Sequence, residues 1–158
     1  MKAVTVKQLK EELSQRPPKE LLEICLRLSK FKKENKELLT YLLFESTSQG
    51  QYIETVKREI DEQFTQINTS SYYFIKKSLR KILRNVKKYI RYALNKQTEV
   101  ELLIYYCQKL NEFKPSIFNN QMLRNLYKRQ IEAIKKAMSY LHEDLQYDYN
   151  LELEELKR

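Results

Sequence analysis

Hydrophobic residues recur at helical spacing along nearly the whole chain, and this periodicity predicts seven helices. In one of them, Ile53, Val56, Ile60, Phe64 and Ile67 follow each other in steps of three and four residues, which places all five side chains on one face. Segments typical of breaks or loops separate the helices: Pro17–Pro18, residues 46–50 (STSQG), residues 68–70 (NTS) and Pro115. The expected helices lie at about residues 6–15, 18–30, 38–44, 53–67, 71–95, 98–113 and 116–147.

Capping signals support three of these helix starts. Thr5 and Gln8 have the spacing of a capping box, in which each side chain satisfies a free backbone amide, and Thr98 and Glu101 have the same spacing. Pro18 suits the first turn of the second helix, because its missing amide would be unpaired there in any case.

The sequence therefore predicts an all-α fold. With one Gly and three Pro among 158 residues, the chain has little material for tight turns or β-hairpins. Short connections favour a compact bundle of about seven helices arranged as antiparallel hairpins, with the two long helices, at about residues 71–95 and 116–147, packed together. The third helix is apolar nearly all round and is expected at the centre. Residues 1–149 are predicted to form one domain, and residues 150–158 a charged tail that can fray.

Charge is distributed very unevenly. Between Ser70 and Lys96 the chain carries nine basic residues and no acidic residue. The remaining 21 basic residues equal the 21 acidic residues in number, so this one segment accounts for the whole formal charge of +9. Such asymmetry is informative about binding partners rather than about the fold.

On a helix, this basic segment separates into two faces. Ile75, Leu79, Ile82, Leu83 and Val86 fall on an apolar arc of about 140°, together with later apolar residues of the same helix. The opposite arc holds the candidate polyanion-binding residues Lys76, Lys77, Arg80, Lys81, Arg84, Lys87, Lys88 and Arg91. We therefore expect one face of this helix to join the core and the other to contact a polyanion.

Three aromatic residues lie among or beside these bases and are candidates for stacking on an unpaired base. They are Tyr73, Phe74 and Tyr92. The favoured function is accordingly a non-enzymatic binding or adaptor module whose basic helix contacts a nucleic-acid backbone or an acidic protein. Backbone contacts of this kind position a protein on nucleic acid without reading its sequence.

A second interpretation is that the basic face is neutralised within the molecule. Residues 140–156 carry six acidic residues and no Lys or Arg, so they could cover the bases. The protein would then be a protein-interaction or self-associating structural module, with a homodimer as one form. Its 12 Tyr residues supply contact area of a kind enriched in interfaces.

The two cysteines indicate the compartment. Cys25 and Cys107 both lie in apolar runs, so we expect them to be reduced and buried, as in a cytoplasmic protein. The first residues lack an apolar stretch of secretory length. No apolar run is long enough to span a membrane.

Motifs for catalysis or metal binding are missing from the sequence. His142 is the only histidine, and we expect it to be exposed or at an interface on the long last helix. Ligand spacings such as CxxC or HxxxH do not occur, and one Gly excludes the glycine-rich nucleotide loops. The sequence predicts no catalytic residue, no metal site and no cofactor. A small enzyme with an unrecognised site is the less favoured alternative.

Overall fold

A computed structural model describes residues 1–156, in which every regular element is helical. The eight α-helices are α1 (Val6–Ser14), α2 (Pro18–Phe31), α3 (Lys33–Thr40), α4 (Gln49–Thr65), α5 (Tyr72–Ala93), α6 (Lys96–Glu112), α7 (Gln121–Met138) and α8 (Glu143–Glu155). A π-helical segment, Tyr41–Glu45, follows α3, and a 3-10 turn, Ile117–Asn119, precedes α7. The predicted all-α class and the helical bundle are confirmed.

The chain divides into two compact units, Met1–Phe44 and the residues from Glu45 onward. Residues 1–149 as a single domain stay a prediction. In the first unit, α2 and α3 pack together as a hairpin, and Ser29 and Tyr41 are its buried residues. Cys25 lies in α2 and is exposed, so its predicted burial is wrong. The apolar run around it is not covered.

The centre of the second unit is α6. Its buried residues spread over an arc of about 240° on an ideal helix, so it meets neighbours on almost every side. They are Thr98, Val100, Leu102, Leu103, Ile104, Tyr106, Cys107 and Leu110. Helices α4, α5, α7 and α8 all pack on α6. The expectation that the third predicted helix would be central is wrong, because Leu38, Leu42, Leu43 and Phe44 remain exposed.

The two long helices differ from their prediction. The helix predicted over residues 116–147 is divided, since α7 ends at Met138 and α8 begins at Glu143. Between them Leu141 N–H donates to the Met138 carbonyl, and the His142 ring accepts from Asp144 N–H as the cap of α8. No Gly or Pro marks this break. Helices α5 and α7 both pack on α6, with contact between them at their first turns.

The acidic C-terminal segment continues as helix instead of fraying after Tyr149. Helix α8 extends to Glu155, and the side chains of Tyr149 and Leu156 are buried. The Tyr149 hydroxyl donates to Glu101 Oε1 of α6 at 2.7 Å. Apolar residues at positions 145, 149 and 156 lie on one side of α8, which explains why this charged segment stays docked.

Side-chain caps explain where three of the helices begin. The predicted box of Thr5 and Gln8 is present at α1. Ser71 accepts from Phe74 N–H and begins α5, while Asn95 accepts from Thr98 N–H and begins α6. Helix α6 thus starts before the predicted Thr98 box, because Asn95 is itself a strong capping residue.

The connection between α5 and α6 contains a strained residue. Among the described residues, Leu94 is the non-glycine residue with positive φ, at 46°, and its side chain is 89% exposed. This left-handed conformation costs roughly 1 kcal/mol for a residue with a Cβ atom.

We expect Leu94→Gly to raise the free energy of unfolding by about 0.5–1 kcal/mol, because glycine adopts this conformation without strain. Urea denaturation followed by circular dichroism measures the change. As a control, Leu151→Gly in the middle of α8 should lower stability by about 1 kcal/mol. Equal losses in both variants would contradict the assignment of strain to Leu94.

Candidate nucleic-acid interface

Helix α5 is held by its apolar face as the sequence predicts. Ile75, Leu79, Ile82, Leu83 and Val86 are all buried. The hydroxyl of Tyr106, a fully buried residue of α6, donates to the Leu79 carbonyl at 2.9 Å. These contacts fix which side of α5 faces outward.

The eight predicted polyanion-binding residues occupy the outward side of α5. Six of them are exposed: Lys77, Arg80, Lys81, Arg84, Lys87 and Arg91. Lys76 and Lys88 are half-buried. Lys76 Nζ lies 3.6 Å from Met122 Sδ of α7, and Lys88 Nζ lies 4.9 Å from the centre of the Tyr89 ring.

The six exposed bases have no acidic partner in the part of the chain that the structure describes. Neither a hydrogen bond nor an ion pair within 4.0 Å joins any of them to a carboxylate of residues 1–156. A shallow depression of about 580 Å³ lies among the first bases and is lined by Tyr73, Lys76, Lys77, Arg80 and Arg84. The surface can accept an anion without first breaking an ion pair.

The three candidate stacking residues differ in accessibility. Tyr73 is 65% exposed and Phe74 is 41% exposed, and their rings meet edge to face with centroids 5.3 Å apart. Tyr92 is half-buried and packs edge to face with Tyr89 at 6.0 Å. Tyr73 is therefore the aromatic residue best placed to meet a ligand on the basic face.

The acidic helix α8 packs on α6 and α7. A cleft beside it is lined by residues of α4, α6 and α8, including Lys57, Glu101 and Glu152. Desolvation, followed by the negative charges of Glu101, Glu155 and Asp148, raises the pKa of Glu152 despite the opposing charge of Lys57. The surroundings of Glu152 are thus mainly acidic rather than basic.

Sequence reasoning missed a second basic helix. Helix α7 carries five basic residues, Arg124, Lys128, Arg129, Lys135 and Lys136, and one acidic residue, Glu132. By contrast α8 has six acidic residues and no basic one, and α4 has four acidic and two basic. Counting charge helix by helix would have found this signal. The predicted helix over residues 116–147 obscures it, because Glu143 and Asp144 lower the net charge from +4 for α7 alone to +2.

A cluster of titratable side chains joins α4 to α6. The Tyr105 hydroxyl donates to both oxygens of Asp61, at 2.7 and 2.8 Å, and Lys109 Nζ lies 3.0 Å from Asp61 Oδ1. Burial opposes ionisation of Asp61, but the hydrogen bonds and the charge of Lys109 outweigh it and lower the pKa of this carboxyl. Burial, followed by the Asp61 contact, raises the pKa of Tyr105 to about 12. These groups stabilise one another and link two helices.

Other reactive groups lie apart from the basic face. Burial raises the pKa of Cys107 to about 12, so its thiol stays protonated at neutral pH. His142 is exposed as expected, although it caps α8 instead of lying within a long helix. Within residues 1–156, no group of three or more His, Cys, Asp or Glu side chains could hold a metal ion. The same residues include no helix that is both long and apolar enough to span a membrane.

Comparison with known proteins gives no family assignment: protein-family models, curated proteins and solved structures all fail to match this chain.

Because desolvation, followed by the charges of neighbouring acids, raises the pKa of Glu152, Glu152→Gln should increase the thermal midpoint at pH 7. The folded protein binds the proton on Glu152 more tightly than the unfolded chain does, so the wild type loses stability as the pH rises through this pKa. The gain should disappear as the pH falls to the ordinary carboxyl value of 4.5.

Thermal unfolding from pH 3.5 to 8 tests this expectation, with Glu154→Gln on the outer side of α8 as the matched control. A stability gain that is independent of pH, or equally large for Glu154→Gln, would contradict it.

Proposed function

We propose that this protein binds a polyanion, and specifically the phosphate backbone of a nucleic acid, through the outward face of α5. The observation that carries the proposal is the row of six exposed bases that have no carboxylate partner among the described residues. Unpaired positive charges on one face favour an anionic partner from outside, because such a partner releases its own counterions on binding.

The length of the basic face suits an extended polyanion. Lys76 to Arg91 cover roughly 22 Å of helix axis at 1.5 Å per residue. Phosphates of one strand in a duplex repeat every 3.4 Å or so along the axis, so about six fall within this length. Contacts with phosphates alone would give affinity without sequence preference. We propose a binding or adaptor role rather than catalysis, with no cofactor.

The competing interpretation, in which the acidic segment covers the bases, has less support. Helix α8 packs on α6 and α7, and no ion pair within the described residues joins it to α5. None of the charged residues that shift the pKa of Glu152, which are Glu101, Lys57, Glu155 and Asp148, belongs to α5. An acidic protein remains the alternative external partner for the same face, and competition with nucleic acid would reveal it.

We expect the reversal of four bases, Arg80→Glu, Arg84→Glu, Lys87→Glu and Arg91→Glu, to abolish nucleic-acid binding while leaving the thermal midpoint nearly unchanged. For the wild type, the logarithm of affinity should fall with the logarithm of salt concentration with a slope near minus 3 to minus 5, if about four to six phosphates are contacted. Fluorescence anisotropy with labelled DNA and RNA measures both quantities.

The matched control reverses four exposed bases of the first unit, Lys7, Lys10, Lys19 and Lys30, and so makes the same change in net charge. It should retain affinity within about threefold, because these four residues are not part of the proposed binding face of α5. Absence of binding by the wild type at low salt would overturn the proposed function.

A second candidate function is self-association through the first unit. Its helices leave many apolar side chains exposed, which is typical of interaction surfaces. They include Val6, Leu9, Leu13, Leu22, Ile24, Leu26, Leu28 and Phe31. The charged residues of α2 are of both signs, three basic and two acidic. This mixture favours a second copy of the chain over a strongly charged partner.

Self-association predicts a dimer in light scattering and a monomer after Leu22→Gln and Leu28→Gln are combined. These side chains are 59% and 55% exposed, so the substitutions should not unfold the chain. Leu151→Gln, an exposed leucine of α8, is the control and should remain dimeric. A wild type that is monomeric at high micromolar concentration would rule this candidate out.

A further inference from the structure

Helix α7 presents a basic face of its own. Its five basic residues are all exposed, and its buried residues lie on the opposite side. Among the described residues, Lys135 is the one base of α7 that forms an ion pair, with Glu132 at 3.6 Å. The remaining four, like the exposed bases of α5, have no carboxylate partner there.

Two contacts bring the start of α5 close to the start of α7 and to the turn before it. The Tyr72 hydroxyl donates to the Ser116 carbonyl at 3.0 Å, and Lys76 Nζ lies 3.6 Å from Met122 Sδ. Both helices pack on α6, which lies between them in sequence. Short connections make each of them antiparallel to α6, so α5 and α7 run in the same direction.

The Met122 contact shows which side of α7 faces α5. Residues seven and fourteen positions later, Arg129 and Lys136, return to nearly the same side, with a drift of about 20° per heptad. They lie about 10 and 21 Å farther along the axis. On α5, the side that faces α7 carries Lys76, Arg80 and Lys87. Bases of both helices therefore lie on the sides that meet at the Lys76–Met122 contact, and the strip between these two sides is called the trough.

Along the trough, these five bases follow one another at intervals of about 4–6 Å. Measured from Lys76 on ideal helices, Arg80 lies at about 6 Å, Arg129 at about 10 Å, Lys87 at about 16 Å and Lys136 at about 21 Å. Like charges at this spacing repel each other, so the arrangement favours an anion that lies between the two helices.

We infer that the ligand is a single nucleic-acid strand that lies in the trough between α5 and α7, with an unpaired base stacked on Tyr73. This inference rests on the proposed function and extends its surface to Arg129 and Lys136. Tyr73 lies on the same exposed face as the first bases, and it borders the depression that they line. A duplex keeps its bases stacked internally and would give this exposed ring nothing to stack on.

The first test neutralises the two trough residues of α7, Arg129→Gln and Lys136→Gln. The probe is a labelled thymidine strand of about 16 nucleotides, the upper end of the range for a single site. Loss of two phosphate contacts should make the salt slope shallower by about 1.4, since each contact to a single strand contributes about 0.7. The control, Arg124→Gln with Lys128→Gln, removes the same charge from the other side of α7 and should leave the slope unchanged.

The second test removes the stacking ring. Tyr73→Ala should weaken binding of the single strand by about 5- to 150-fold, the range that corresponds to 1–3 kcal/mol per stacked base, and leave the affinity for a duplex of equal length unchanged. The side chain is exposed, so the thermal midpoint should not move. Tighter binding of the duplex by the wild type, with no effect of Tyr73→Ala, would overturn the single-strand assignment.

Different results would contradict the proposed function and the single-strand inference. If reversal of the α5 bases abolishes binding but the Arg129→Gln, Lys136→Gln variant has the same salt slope as its control, the trough is wrong and the proposed function stands. If the wild type binds neither the strand nor the duplex at low salt, both are wrong.

Discussion

The burial of α6 is the constraint on which the second unit depends. This helix has buried side chains over about two thirds of its circumference, and only a ring of neighbouring helices can remove so wide a surface from water. Helices α4, α5, α7 and α8 provide that ring, each with one apolar face turned inward. Their outward faces are therefore free to carry charge. The apolar face of α5 packs on α6, so its basic residues lie on the outward face.

The same arrangement separates charge by sign. Helices α5 and α7 are strongly basic, whereas α4 and α8 are acidic overall. The hydroxyl of Tyr149 ties α8 to Glu101 of α6, and the Asp61 cluster ties α4 to the same helix. No carboxylate of these acidic helices pairs with the exposed bases of α5 in the part of the chain that the structure describes. The internal packing thus leaves positive charge on the outward face of α5.

The sequence predicted best those features that depend on the residues of a single helix. The apolar and basic faces of α5 followed from spacing, and Ile75 and Arg80 lie where that spacing puts them. Errors arose where the outcome depends on neighbours. Burial of Cys25 was predicted because the neighbouring residues in the sequence are apolar. Whether another helix covers those residues depends on the tertiary structure and cannot be derived from their sequence. The break before His142 was missed since its ring is a weaker signal than Gly or Pro.

The sequence by itself determined the helical fold class, the two-faced character of α5 and the location of its excess charge. These properties are local, since they depend on residues within a few turns of one another. Only the tertiary structure decided that α6 is the central helix, that α8 stays docked through Tyr149 and that Met122 of α7 lies against Lys76 of α5. Periodicity specifies which side of a helix is buried but not which partner buries it. The extent of a charged surface is therefore a property of packing.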